Sequence, residues 1–273
     1  PIGLAAGFDK SAEVYNSLFK LGYGFVEVGT VTPKRQLGNP KPRVFRLEKD
    51  QALINRLGFN NHGSEIVAKR LLENIPNGFL GINVGPNKDT KNKEEDYYLC
   101  LSKLHSCAGY LTINISSPNT EGLRDLQLRG KIEKLIKKII DKRDEIKNIN
   151  TKPILVKISP DLNDDQLRDL ALISLANNVD GLILTNSTIK RDANLISMNK
   201  DKKGGLSGRP LYDNSNIILK KMYELTNGQI PLIGVGGISS GRDCYEKIKS
   251  GASLVQLYTA LVYSCLLYTS DAA

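Results

Sequence analysis

The chain has 273 residues, of which 40% are apolar and 25% charged, and it carries a net charge of +9. That length allows one large domain or two small ones with ample core, and the composition excludes a disordered, collagen-like or multi-span membrane protein. The positive balance points to acidic small molecules or an anionic surface as partners. Without an arginine-rich run or a basic stripe interleaved with aromatics, it does not point to nucleic acid.

In chain order, short apolar runs alternate with longer amphipathic segments. Strands are predicted at 2–6, 25–31, 79–84, 110–115, 154–158, 181–184, 232–235 and 254–257. Helices are predicted between them at 12–21, 64–75, 97–104, 131–146, 164–176, 215–225 and 242–249. The runs are continuously apolar, as in strands covered on both faces. Strict alternation with helices implies a parallel sheet. Asn163 before Asp164 and Asp165 reads as a helix N-cap with an acidic first turn. Gly22 and Gly251, after basic last turns, read as helix stops.

Eight such units predict an α/β fold of the (β/α)8 TIM-barrel type in a single domain. A doubly wound sheet is the alternative, but Gly234-Val235-Gly236-Gly237-Ile238-Ser239 breaks the dinucleotide fingerprint at its last glycine, and a Walker A loop is absent. Two connections, 32–61 and 190–213, exceed usual loop lengths, and long loops at strand carboxyl ends carry a barrel's chemistry. The lysine-rich run 131–152 is interleaved with acids and reads as a solvated helix face. The N-terminus has no signal or transit pattern and begins in a strand. The apolar stretch 254–267 is too short to span a bilayer.

Acid/base and metal chemistry have few candidates. His62 and His105 are the only histidines, and neither sits in a metal-binding pattern, so no metal site is predicted. Cys100, Cys107, Cys244 and Cys265 form no CxxC pair and read as buried, reduced thiols, the first two on one helix face.

The predicted strand ends carry polar residues where strands disfavour them. These are Asp9 and Lys10, Thr30, Asn83, Asn114 to Thr120, Lys157, Thr185 to Ser187, Gly236 and Gly237, and Tyr258 and Thr259. Burying one such group usually reflects local pairing, but repetition at strand after strand points to a shared ligand. Asn and Thr suit the amide edges of a flat heterocycle, and Lys10 and Lys157 suit anions. Glycines near the seventh and eighth strand ends suit a phosphate held by backbone N–H groups. A phosphorylated flavin meets all three requirements.

Six segments resemble the dihydroorotate dehydrogenase family, in the family's order, over residues 1 to about 263. They are Gly3-Leu4-Ala5-Ala6-Gly7-Phe8-Asp9-Lys10, Asn55-Arg56-Leu57-Gly58-Phe59-Asn60-Asn61, Asn114-Ile115-Ser116-Ser117-Pro118-Asn119-Thr120, Gly204-Gly205-Leu206-Ser207-Gly208-Arg209-Pro210-Leu211, Gly234-Val235-Gly236-Gly237-Ile238 and Leu254-Val255-Gln256-Leu257-Tyr258-Thr259-Ala260. Ser117 stands where the family's membrane-associated class 2 enzymes carry serine and its soluble class 1 enzymes carry cysteine. The stretch Arg43-Val44-Phe45-Arg46-Leu47 also resembles class 2.

The resemblance implies oxidation of dihydroorotate to orotate in pyrimidine biosynthesis, with FMN as cofactor and a quinone as acceptor. By position, Ala6, Gly7, Lys10, Thr30, Asn83, Asn114, Lys157, Thr185, Gly208, Gly237, Tyr258 and Thr259 would hold FMN. Lys10, Asn55, Arg56, Leu57, Gly58, Phe59, Asn114, Asn119, Asn186 and Ser187 would hold the substrate; relatives often have Thr at position 187, and the hydroxyl is kept. Ser117 would act as base, Thr120 would start its proton outlet, and Lys157 would stabilise negative charge on the reduced ring.

The resemblance covers 1–263 as catalytic barrel and leaves 264–273 as a tail unlike the family. It also implies peripheral attachment to a bacterial inner membrane, on its cytoplasmic face, or to a mitochondrial inner membrane. Neither the class 2 N-terminal membrane helices nor the family's final helix has a match here. Two other readings stay open: a related FMN barrel with another pyrimidine or acceptor, and a truncated non-functional fragment.

Overall fold

The computed structural model describes residues 1–146 and 151–264, so Cys265 and all but the first residue of the expected tail lie outside the described residues. The elements are β1 (Ile2–Leu4), α1 (Tyr15–Lys20), β2 (Phe25–Val31), β3 (Val44–Leu47), β4 (Ala52–Asn55), α2 (Ser64–Glu73), β5 (Phe79–Val84), α3 (Lys93–Leu104), β6 (Tyr110–Asn114), α4 (Arg129–Glu145), β7 (Ile154–Ile158), α5 (Asp164–Ala176), β8 (Gly181–Leu184), β9 (Gly205–Gly208), α6 (Tyr212–Leu225), β10 (Leu232–Val235), α7 (Gly241–Lys249), β11 (Leu254–Leu257) and α8 (Ala260–Tyr263). Eight strands close a parallel barrel in the order β1-β11-β10-β8-β7-β6-β5-β2. The seam pairs Ile2 with Val255. This is the (β/α)8 barrel that the alternation predicts, and it excludes the doubly wound sheet.

Strand periodicity of two sorts each strand into an outer and an inner set. Val26, Val28, Leu111, Ile113, Val156 and Ile158 pack outward against the helices in the main core. Phe25, Tyr110, Leu155, Ile183 and Ile233 point inward and fill the barrel floor. Gly3 and Gly81 make room for those rings: a Cβ on Gly3 would lie 2.5 Å from the Phe25 ring, and one on Gly81 would lie 2.1 Å from the Tyr110 ring. Two residues further along, one layer higher on the inner face, come Glu27, Thr112, Lys157 and Gln256, all buried.

Helix ends follow their local chemistry. Asn163 and Gln166 form a reciprocal capping box at the start of α5. Gly22 and Gly251 close α1 and α7 at φ of +90° and +107°. The helix expected from 12 begins only at Tyr15, because the Asp9 carboxylate accepts from the backbone N–H groups of Glu13 and Val14 and holds the preceding segment as a turn. Helix α3 starts earlier than expected, at Lys93, where the Asn92 side chain caps Glu95 N–H. It ends at Leu104, so Cys107 sits in the following 3-10 turn and shares no helix face with Cys100. Of the described cysteines, Cys100 is buried and Cys107 and Cys244 are half-buried, so only one matches the expected burial; all three are free thiols.

The two long connections are not structureless. They supply β3, β4 and β9, which form a separate antiparallel sheet in the order β3-β4-β9. Leu53 pairs with Ser207, and Ala52 with Gly208. The sheet has its own small core of Leu47, Ala52, Ile54, Leu195 and Leu206. Its strands are four residues each and five of the twelve residues are glycine or polar, so they carry little periodic signal.

Candidate active site

A cavity of about 250 Å³ opens between the carboxyl ends of the barrel strands and the three-stranded sheet. The barrel contributes Ala6, Gly7, Lys10, Thr30, Asn114, Ser117, Asn119, Lys157, Thr185, Asn186, Ser187, Gly237, Tyr258 and Thr259 to its wall. From the sheet and its flanks come Asn55, Leu57, Gly58, Phe59 and Gly208. Three expected site residues do not line it. Asn83 is fully buried one layer below. Arg56 turns outward, its guanidinium bonded to Pro42 O and stacked 5.0 Å from the Phe45 ring. Thr120 is buried in the same loop as Ser117, off the cavity wall.

The floor is one continuous hydrogen-bond network anchored on Glu27. The Glu27 carboxylate is fully buried and accepts from Asn83 Nδ2 at 2.8 Å, Tyr110 OH at 2.9 Å, Gln256 Nε2 at 3.0 Å and Thr112 Oγ1 at 3.2 Å. Four donors around an acceptor-only group satisfy the ionised carboxylate. Asn83 Oδ1 then accepts from Thr30 Oγ1 at 2.6 Å and Asn114 Nδ2 at 3.1 Å. Asn114 Oδ1 accepts from Ser116 Oγ at 3.0 Å, which also accepts from Asn186 Nδ2 at 3.0 Å. Asn83 therefore orients two cavity residues instead of facing the cavity itself.

Two lysines bring positive charge to the wall. Burial lowers the pKa of Lys157, with Glu27 opposing that shift. Lys10 is pushed down to about 8 by burial, with Arg43 adding to it. Neither ammonium has a hydrogen-bond or salt-bridge partner within bonding distance among the described residues. Buried cations without a bonded anion are costly; an anionic ligand would relieve Lys10, which no anion offsets, and would add to the partial relief Glu27 gives Lys157.

The phosphate-type end lies after β10 and β11. Gly236 and Gly237 adopt φ of +124° and +71°. A Cβ on Gly237 would come within 2.5 Å of the Tyr212 Cβ, so only glycine fits. The N–H groups of Gly237 and Thr259 donate to no backbone acceptor in the described chain. The Gln256 amide oxygen is likewise buried without a partner at the cavity wall. Free donors after β10 and β11, an unpaired amide acceptor on the wall and the Lys157 ammonium on the same wall suit a flat, phosphorylated heterocycle.

Opposite lies a polar cradle for a small planar acid. Asn119 Nδ2 donates to Asn55 Oδ1 at 3.1 Å, tying the β6 loop to the sheet. Ser117 is buried, and its Oγ accepts from Asn119 N–H at 3.3 Å. Neither histidine takes part: His62 Nδ1 contacts Arg70 at 2.9 Å, and His105 Nε2 faces the Lys152 amide at 3.4 Å.

Sequence reasoning overlooked Glu27 and Gln256, although each is a polar residue inside an apolar strand, the same signal that singled out Lys157. It also did not single out Val44, Leu53 or Tyr263 as cavity residues. Their placement depends on a sheet joined across more than half the chain.

Fold and site together define a cofactor-dependent (β/α)8-barrel enzyme acting on a small anionic substrate. A sequence model described as dihydroorotate dehydrogenase matches residues 1–271. A relative from Rhodospirillum rubrum, named dihydroorotate dehydrogenase (quinone), is 51% identical over 263 residues, covering 96% of this chain and 72% of its own. One of the same name from Brucella ovis is 48% identical, with 96% and 73% covered. The solved structure of the Eimeria tenella enzyme with ferulenol superposes with a TM-score of 0.93 at 44% identity, covering 96% of this chain and 76% of that one. The chain belongs to the dihydroorotate dehydrogenase family.

Proposed function

We propose that this chain oxidises dihydroorotate to orotate, using FMN held in the cavity and a quinone as final electron acceptor, and that residues 1–263 constitute its catalytic barrel. The observation that carries this reading is the convergence, in one cavity, of Ser117, three cradle asparagines and two lysines with no hydrogen-bonded or salt-bridged partner among the described residues.

FMN, which Lys157, Gly237 and Thr259 would help to hold, would supply a two-electron acceptor for the hydride leaving C6 of the substrate and a donor to the quinone. The residues of this chain do the rest. Gly237 and Thr259 offer N–H groups to the phosphate, and Lys157 supplies the positive charge that favours an electron-rich ring. Lys10 faces the substrate carboxylate. Asn55, Asn119 and Asn186 present amide groups to the ring and hold it in one orientation. Ser117 Oγ takes the proton from C5. A serine hydroxyl needs its own proton removed, and a dry, ordered site is the setting in which that works. Thr120, buried three residues further along the same loop, is the first to receive it.

A quinone acceptor implies work at a membrane, either the cytoplasmic face of a bacterial inner membrane or a mitochondrial inner membrane. Among the described residues no helix is long and apolar enough to cross one. The test is anaerobic mixing of the FMN-loaded protein with dihydroorotate. Bleaching of the flavin absorbance with formation of one equivalent of orotate is expected. An unbleached flavin would overturn the assignment.

A further inference from the structure

Arg124 lies in the 3-10 turn Arg124–Gln127, outside the cavity wall. Its guanidinium nevertheless reaches three separate loops at the barrel mouth. Nε donates to Ser116 O at 3.0 Å, Nη1 to Asp161 Oδ2 at 2.7 Å, and Nη2 to Ser187 O at 2.9 Å. Ser116 precedes the proposed base, Ser117, and Ser187 belongs to the proposed substrate grip. Asp161 extends the connection: its carboxylate accepts from Ile189 N–H at 2.9 Å and from the Thr188 hydroxyl. The Arg124 and Asp161 side chains are 20% and 11% exposed, so solvent screens them little.

We propose that Arg124, fixed by Asp161, is a positioning residue that sets the distance between Ser117 and the Asn186–Ser187 segment. This rests on the reading of Ser117 as the group that takes the C5 proton. The loops after β6, β7 and β8 make few backbone bonds to one another. A rigid five-donor fork spanning two carbonyls and a carboxylate determines their spacing in a way a lysine ammonium cannot. Proton removal is steeply sensitive to that spacing, whereas ligand binding draws on contacts spread around the cavity. A displacement on the order of 1 Å lowers such a step by roughly a hundredfold.

The test is the rate of flavin bleaching by dihydroorotate in Arg124→Ala, Arg124→Lys and Asp161→Asn, with FMN and orotate affinities measured alongside. Arg124→Ala is expected to slow bleaching about a hundredfold, leave FMN affinity unchanged and weaken orotate binding only a few-fold. Arg124→Lys should remain slow, and added guanidinium ion should restore much of the rate in Arg124→Ala. If Arg124→Ala fails to fold, Arg124→Gln combined with Asp161→Asn gives the same answer, with non-additive losses expected. Wild-type bleaching is the control that separates the two claims. Bleaching in the wild type and equally fast bleaching in the variants overturns the positioning role alone. Slow bleaching with FMN affinity lost in proportion and no guanidinium rescue also overturns it, since that is general destabilisation. A wild type that dihydroorotate does not bleach overturns the functional reading and this role with it.

Discussion

Replacing Glu27 by glutamine keeps the side chain's size and removes its charge. Three donors, Tyr110, Thr112 and Gln256, converge on Oε2, and one, Asn83, on Oε1. A glutamine satisfies the three by turning its carbonyl toward them, which sets its own NH2 against Asn83 Nδ2. Asn83 cannot flip to accept, because its Oδ1 already takes Thr30 and Asn114. One buried donor pair is left facing itself, worth about 1–3 kcal/mol, and three charge-assisted bonds fall to neutral strength. The combined loss is on the order of 3 kcal/mol. In a domain this large that lowers the melting temperature by roughly 6–10 °C.

The site feels the change as well. Glu27 is what opposes the lowering of the Lys157 pKa, so Glu27→Gln lowers it further. The Lys157 charge is then lost at lower pH, and the alkaline limb of the bleaching rate moves down in pH. Calorimetry and stopped-flow bleaching across pH are the assays. A variant melting within about 2 °C of wild type, with an unmoved alkaline limb, would refute the view of Glu27 as an ionised anchor.

Three further outcomes are expected. Ser117→Ala should slow bleaching by a factor of about 10² to 10⁴ while orotate still perturbs the flavin spectrum with near-normal affinity; an unslowed rate would remove Ser117 as base. Lys10, at about 8, is cationic below that pH and loses its charge above it, so orotate affinity should fall as pH rises through that value. Lys10→Met should bind weakly at all pH, and an unchanged wild-type-like profile in the variant would assign the effect elsewhere. Lys247 is fully buried, with Nζ donating to Ser215 Oγ and Asn216 Oδ1 at 2.8 Å each, and burial pushes it down to about 7. The unfolded chain keeps that proton to a far higher pH, so folded stability rises with pH above about 7 and the gain is lost again on acidification. Lys247→Met should flatten that rise by up to about 3.5 kcal/mol in urea unfolding compared at about pH 7 and about pH 10; identical slopes in the two proteins would contradict it.

The barrel was legible because both faces of each strand are buried, leaving uninterrupted Val, Ile and Leu between amphipathic segments. The site was legible where a polar residue interrupted such a run at its carboxyl end, as at Asn114, Lys157 and Thr185. What stayed hidden is long-range. Nothing local marks Gly205–Gly208 as a strand, since its ladder partner, Ala52–Asn55, lies in the first quarter of the chain and its other neighbour is a single bridge from Thr188 to Leu206. Motif membership points Arg56 at the cavity and strand-end polarity points Asn83 there, yet side-chain direction is settled by neighbours: Phe45 and Pro42 draw Arg56 outward, and Glu27 holds Asn83 one layer down.

The ladder between β4 and β9 also bears on how the protein assembles. Asn55 faces the proposed substrate and Gly208 the proposed cofactor, and each sits in the same short ladder, opposite Gly205 and Ala52. Closing a loop of this length between two four-residue strands is entropically unfavourable, so the ladder gains its stability late, after the barrel beneath it exists. Whatever fraction of molecules has this ladder open lacks both binding surfaces at once. Either ligand, by holding the ladder shut, lowers the ordering cost for the other, and their affinities are thereby linked without direct contact between them.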